Sequence, residues 1–157
     1  MSAPLPDGVY KIVSLLDDSK VLEVMGEEAH DGTPVDLWEN NDKPHQQGQL
    51  TKVDEENGEA VYTIGHPGTG MVMEAPGPWN AGDPVVMRNY DQNGSSDQRH
   101  RQWKFQPVSG KQDTYKIVNR RSGLAIDVKD GRNSNEVDVK QYALWDDDGR
   151  QQWKLVA

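Results

Sequence analysis

The chain has no cysteine and only one phenylalanine in 157 residues. Without thiols it has no disulfide, no thiolate nucleophile and no cysteine-held metal, and the missing staples favour a reducing compartment. Long apolar runs are also missing: no segment approaches the roughly 20 residues of a membrane-spanning helix. Residues 1–7 lack the basic start and apolar stretch of a signal peptide. The expectation is a cytoplasmic protein, or one exported without a cleaved signal. Positive charge is in deficit, with 17 Lys and Arg against 26 Asp and Glu and a formal net charge of −9. The longest basic stretch, residues 99–104, is interrupted by His100, Gln102 and Trp103. Such a surface repels phosphate, which argues against nucleic acid and membrane insertion among the partners.

What the chain does have is turn formers and large rings. It has 15 Gly and 9 Pro, which call for many short elements. Five Trp and five Tyr set it apart from a disordered chain, despite a mean hydropathy of −0.89. No amphipathic helix is evident.

Three stretches open alike: Val9-Tyr10-Lys11-Ile12-Val13, Val61-Tyr62-Thr63-Ile64 and Thr114-Tyr115-Lys116-Ile117-Val118. Each leads through a polar turn to a short alternation: Val21-Leu22-Glu23-Val24, Met71-Val72-Met73-Glu74 and Leu124-Ala125-Ile126-Asp127-Val128. A third alternation follows as Val35-Asp36-Leu37-Trp38, Val85-Val86-Met87-Arg88 and Val137-Asp138-Val139-Lys140-Gln141-Tyr142. The last strands are expected at Gly48-Gln49-Leu50, Trp103-Lys104-Phe105 and Trp153-Lys154-Leu155-Val156. A period of two with turn residues between is the mark of half-buried strands. About four strands per unit, in units near 8–55, 58–109 and 112–157, predict an all-β single domain spanning 1–157. Each unit is too short to bury its own apolar face, so the three must share a core.

The repeat ends carry the most specific signal. The third reads Gln151-Gln152-Trp153, the second Arg101-Gln102-Trp103 and the first Gln46-Gln47-Gly48. With the Tyr-x-Ile openings in register, these resemble the Gln-x-Trp repeats of the ricin-B lectin family over nearly the whole chain. The opening Pro6-Asp7-Gly8-Val9-Tyr10-Lys11-Ile12 is most similar to cytosolic mushroom lectins of that family. The resemblance implies a β-trefoil fold and glycan partners, with galactose or N-acetylgalactosamine ends preferred. On structural grounds Trp103 and Trp153 are expected to fill the core. Gly48 is expected to leave the first unit less well packed unless another side chain fills the gap.

Sugar recognition needs a ring to stack on the C–H face, a carboxylate to accept from adjacent hydroxyls, and a nearby donor. By the resemblance, the third unit keeps this set best. It has Asp127 as the carboxylate, Tyr142 as the ring and Gln151 as the amide. Arg150 stands where an Asn is usual, and Lys140 lies two residues before Tyr142. In the first unit the corresponding residues are Glu23, Asp36, Trp38, His45 and Gln46. The second unit is the poorest, because Arg88 takes the ring position opposite Glu74 and only Asn89-Tyr90 could stand in. Trp79, in a Pro-Gly turn, is a further contact candidate.

Other motifs are weaker. Asp146-Asp147-Asp148-Gly149 lacks the flanks and distant Glu of a calcium loop. The four His show no metal spacing. No nucleophile elbow appears, and no two carboxylates stand out as a glycosidase pair. Asn93-Gly94-Ser95 is a glycosylation sequon that matters only in a secretory pathway. The expectation is a lectin with no catalytic activity and no cofactor, one or two shallow sites, and a homodimer as one route to avidity. The alternative is a protease-inhibiting or other protein-binding trefoil using the 76–83 loop.

Overall fold

Each apolar alternation in the sequence becomes a strand. The structure is a computed structural model that describes residues 5–16, 19–23, 32–42, 46–67, 69–75, 81–89, 98–128, 137–144 and 149–157. Its strands in chain order are β1 (Gly8–Ser14), β2 (Lys20–Glu23), β3 (Asp36–Glu39), β4 (Gln47–Glu56), β5 (Glu59–Gly65), β6 (Val72–Glu74), β7 (Val86–Arg88), β8 (Trp103–Pro107), β9 (Thr114–Asn119), β10 (Ala125–Val128), β11 (Val137–Tyr142) and β12 (Trp153–Val156). Helix among the described residues is 3₁₀ only, as in the turn Arg99–Arg101.

Six strands close a barrel. β1 pairs with β4, β4 with β5, β5 with β8, β8 with β9, β9 with β12, and β12 returns to β1, all antiparallel. Closure leaves the barrel no free edge. The other six strands form three hairpins, β2–β3, β6–β7 and β10–β11. The hairpins join one another around a pseudo-threefold axis through Pro34 opposite Val86, Pro84 opposite Lys140, and Asp138 opposite Asp36. Val35, Val85 and Val139 meet on this axis, all at most 1% exposed, with the Val35 amide donating to Val85 O and the Val139 amide to Val35 O. A six-strand barrel capped by three hairpins is the β-trefoil architecture.

Trp103 and Trp153 are fully buried, as their bulk in an apolar alternation demands. Each indole Nε1 also donates to a hairpin carbonyl: Trp103 to Met73 O at 3.1 Å and Trp153 to Ile126 O at 3.3 Å. The rings therefore fill the barrel and fasten a hairpin to it. At Gly48 the corresponding space is taken by neighbours. A Cβ built there would lie 3.2 Å from Ile12 Cδ1 and 3.3 Å from Ile64 Cγ2. The isoleucines of two openings thus supply what the missing ring does not.

β4 runs well past Leu50, the end expected from the sequence. Its outer half is mostly exposed, so no buried face shows in its sequence. It is held instead by pairing with β5 across a two-residue Asn57-Gly58 turn, both residues at positive φ (54° and 81°). Ion pairs brace this hairpin against the barrel wall. Arg120 reaches Glu56 at 3.0 Å and Asp54 at 2.9 Å, and Lys104 reaches Glu56 at 2.8 Å. Lys104 and then Arg120 hold the Glu56 carboxyl below its ordinary pKa. The Glu55 amide and then Arg120 do the same for Asp54.

Two predictions follow from these contacts. Trp153→Ala should cost about 3–5 kcal/mol in urea denaturation, since it opens a large cavity and orphans the Ile126 carbonyl. Lowered carboxyl pKa values mean that the wall cluster stabilises the fold fully above about pH 5. That contribution is lost as pH falls from the ordinary value near 4.3 through the lowered folded one. Arg120→Gln should flatten this acid limb of the Tm-against-pH curve, and an unchanged limb would contradict the assignment.

Candidate functional site

The hairpins place the expected site residues. In the third lobe β10 and β11 pair so that Asp127 faces Lys140 and Ala125 faces Tyr142. Alternation along both strands puts these four side chains on one face. The backbone around Asp127 is fixed on both sides: Ile126 O accepts from Trp153, and the Val128 amide donates to Arg150 O at 3.1 Å. The Asp127 carboxylate is itself fully covered. Its Oδ1 accepts from Arg150 Nε at 3.0 Å and its Oδ2 from Gln151 Nε2 at 3.1 Å. Gln151 Nε2 also donates to Ala143 O at 2.8 Å, tying the end of β11 to the carboxylate. Arg150, 27% exposed, lies between Asp127 and solvent.

Tyr142 is half-buried against Gly82 of the adjacent lobe, where a Cβ would sit 3.8 Å from its hydroxyl oxygen. Gly82 has φ +90° and donates its amide to Gln141 O at 2.7 Å. That backbone geometry strains any residue with a Cβ, so glycine suits the turn that backs the ring.

The first lobe repeats this plan with different chemistry. Glu23 faces Asp36, and Val21 faces Trp38. Glu23 is buried, while Asp36 and Trp38 are half-buried. Gln46 does what Gln151 does, donating from Nε2 to Glu39 O at 2.8 Å, the residue after the ring, and accepting from the Asn41 amide at 2.8 Å. The leading amide of the repeat end is therefore a clamp on the third strand's end. His45 lies outside the described residues, as do Trp79, Tyr90, the sequon 93–95 and Asp146, Asp147 and Asp148.

The second lobe differs most. Val72 faces Arg88, so an arginine occupies the ring position. Its Nε donates to Glu74 Oε2 at 2.7 Å. His100 Nε2 lies 2.7 Å and Arg101 Nε 3.4 Å from Glu74 Oε1. Two guanidinium groups and an imidazole thus converge on one buried carboxylate, and Arg88 closes over Gly32 as Tyr142 closes over Gly82. The backbone plan is kept: Met73 O accepts from Trp103, and the Ala75 amide donates to His100 O at 2.9 Å. Sequence reasoning did not single out His100. Its signal was its place one residue before Arg101, matching Arg150 before Gln151. Among the described residues no three His, Asp or Glu gather to hold a metal ion.

Barrel, cap and three-lobed hairpin face define a protein of the β-trefoil class. The chain belongs to the ricin-type β-trefoil lectin domain-like family, which matches residues 2–88 and 99–157. No curated protein sequence matches it. Among solved structures it is similar to ThreeFoil, a designed threefold-symmetric protein, at TM-score 0.80 and 28% identity over 96% of this chain and 99% of that one. It is similar in fold to the Rhizoctonia solani agglutinin, at TM-score 0.79 and 17% identity over 99% of each chain. The same holds for the Macrolepiota procera ricin B-like lectin solved with lactose, at TM-score 0.74 and 15% identity over 99% of each chain.

The convergence on Glu74 generates a prediction. Glu74→Ala leaves mutually repelling cations around a buried gap and should destabilise the protein by about 2–4 kcal/mol. The fall in denaturation midpoint at neutral pH measures this. A change below about 0.5 kcal/mol would mean that the cluster behaves as a solvated surface network.

Proposed function

We propose that the protein is a lectin that binds a pyranose on the hairpin face of its third lobe, with the first lobe as a second site, and performs no catalysis. The observation that carries this reading is the shared face of Asp127, Lys140 and Tyr142, with Arg150 and Gln151 bonded to the carboxylate. A sugar stacking on Tyr142 meets the guanidinium of Arg150 as donor. Asp127 lies behind it, holding Arg150 and Gln151 in place. In the first lobe Trp38 offers the ring, and Asp36 and Glu23 offer carboxylates.

A galactose or N-acetylgalactosamine end is the proposed ligand class. Family membership supports it, as does the lactose bound by the Macrolepiota procera lectin. The second lobe is proposed not to bind neutral sugar, because Arg88 both replaces the ring and is bonded to the carboxylate. A shallow single site of this kind binds in the millimolar to micromolar range. Two sites, or a homodimer, then supply avidity.

A glycan array with lactose competition tests the reading, run beside a panel of serine and cysteine proteases. Binding displaced by lactose is expected, whereas a blank array with nanomolar protease inhibition would replace the lectin reading with an inhibitory one. Tyr142→Ala removes a partly exposed ring without opening the core. It should lower third-lobe affinity about tenfold or more by calorimetry, as loss of a stacking ring does. Asp127→Ala should cost about 1.5–3 kcal/mol of binding by releasing Arg150 and Gln151.

A further inference from the structure

The three lobes share a backbone plan and differ in charge at one equivalent position. The residue facing the hairpin carboxylate is Asp36 in the first lobe, Val86 in the second and Lys140 in the third. Beneath Trp38, then, two acids face each other. Beneath Tyr142 one acid is set against two cations, Lys140 and Arg150. The third-lobe carboxylate is already committed, one oxygen to Arg150 and the other to Gln151. Lys140 faces Asp127 in register, yet its ammonium makes no ion pair with any described residue. This cation lies beside the candidate stacking ring of a chain whose net charge is −9, where acids to pair with are plentiful.

An ammonium and a guanidinium set beside a ring, both at the level of Asp127, match an oxyanion carried on a pyranose. The ammonium acts as a point charge, and the planar guanidinium offers directed donors. A neutral sugar uses the ring and Arg150 but leaves the Lys140 charge uncompensated.

We infer that the third lobe selects an acidic sugar, a galactose-type pyranose bearing a sulfate or carboxylate, with the anion bound between Lys140 and Arg150. This rests on the sugar-binding reading above and specifies its ligand. Lys140 is the residue that sets the preference, and Arg150 binds both neutral and acidic ligands. The first lobe has Asp36 at the equivalent position and so lacks this cation, which confines the preference to the third lobe.

Calorimetric titration of the full chain at low salt tests this with three ligands: lactose, lactose sulfated on its galactose, and lactose sialylated on its galactose. The acidic ligands are expected to bind about fivefold or more tightly than lactose, with the two acidic arms identifying the anion. The acidic-to-neutral affinity ratio should fall towards one in Lys140→Gln and should shrink in 0.5 M salt, where the Debye length is about 4 Å. Lys154→Gln makes the same change in net charge at an exposed site on β12 and should leave the ratio as it is. Equal affinities for lactose and both acidic ligands would overturn the inference while leaving the lectin reading intact. A preference that survives Lys140→Gln would also overturn it. Failure of all three ligands to bind would remove both readings together.

Discussion

The structure depends on a repeated bracket around one hairpin residue. In the third lobe the indole of Trp153 holds the carbonyl before Asp127, and the carbonyl of Arg150 holds the amide after it. Trp103 and His100 do the same on either side of Glu74. The indoles are fully buried in the barrel, so the interaction that fills the core also sets where each carboxylate stands. A buried N–H and a buried carbonyl must find partners, and each satisfies the other here. Core packing and site geometry are therefore one constraint.

Around that constraint the lobes have diverged in what they offer. In the second, Arg88 takes the place of a ring and closes an ion cluster with Glu74, His100 and Arg101. In the third, Arg150 covers Asp127 while Tyr142 rests on a glycine of the neighbouring lobe. In the first, Gly48 replaces the indole, and Ile12 and Ile64 crowd the space it leaves. Leu22 O thus has no tryptophan beneath it, and Gln46 alone repeats the clamp seen at Gln151. The barrel tolerates this because its closure comes from strand pairing right around the ring, not from any one lobe.

Much of the fold was legible in the chain. Short apolar runs such as Val21-Leu22-Glu23 and Ala125-Ile126-Asp127 became hairpin strands, with Leu22 and Ile126 in the shared core and Glu23 and Asp127 covered on the opposite face. The outer half of β4 was not legible, since it lies largely in solvent and is held by pairing and by Arg120 rather than by apolar alternation. In the site, the positions of Asp127, Tyr142 and Gln151 could be read from their places in the repeat. The covering of Asp127 by Arg150 could not, nor could the part played by His100. Both arise from residues 23 and 26 positions beyond their carboxylates, brought close only by the barrel.

By itself the sequence determined the periodicity, the threefold spacing and the residue types in each lobe. These are local or repeating properties, and strand patterning and turn chemistry act on them directly. Tertiary structure alone decided which charges meet. It directed Arg88 onto Glu74 and set Lys140 opposite Asp127 without an ion pair among the described residues, and it laid Tyr142 over Gly82. Hydrogen-bonded ion pairs and ring contacts form only within about 4 Å, so they depend on distances that no linear spacing specifies.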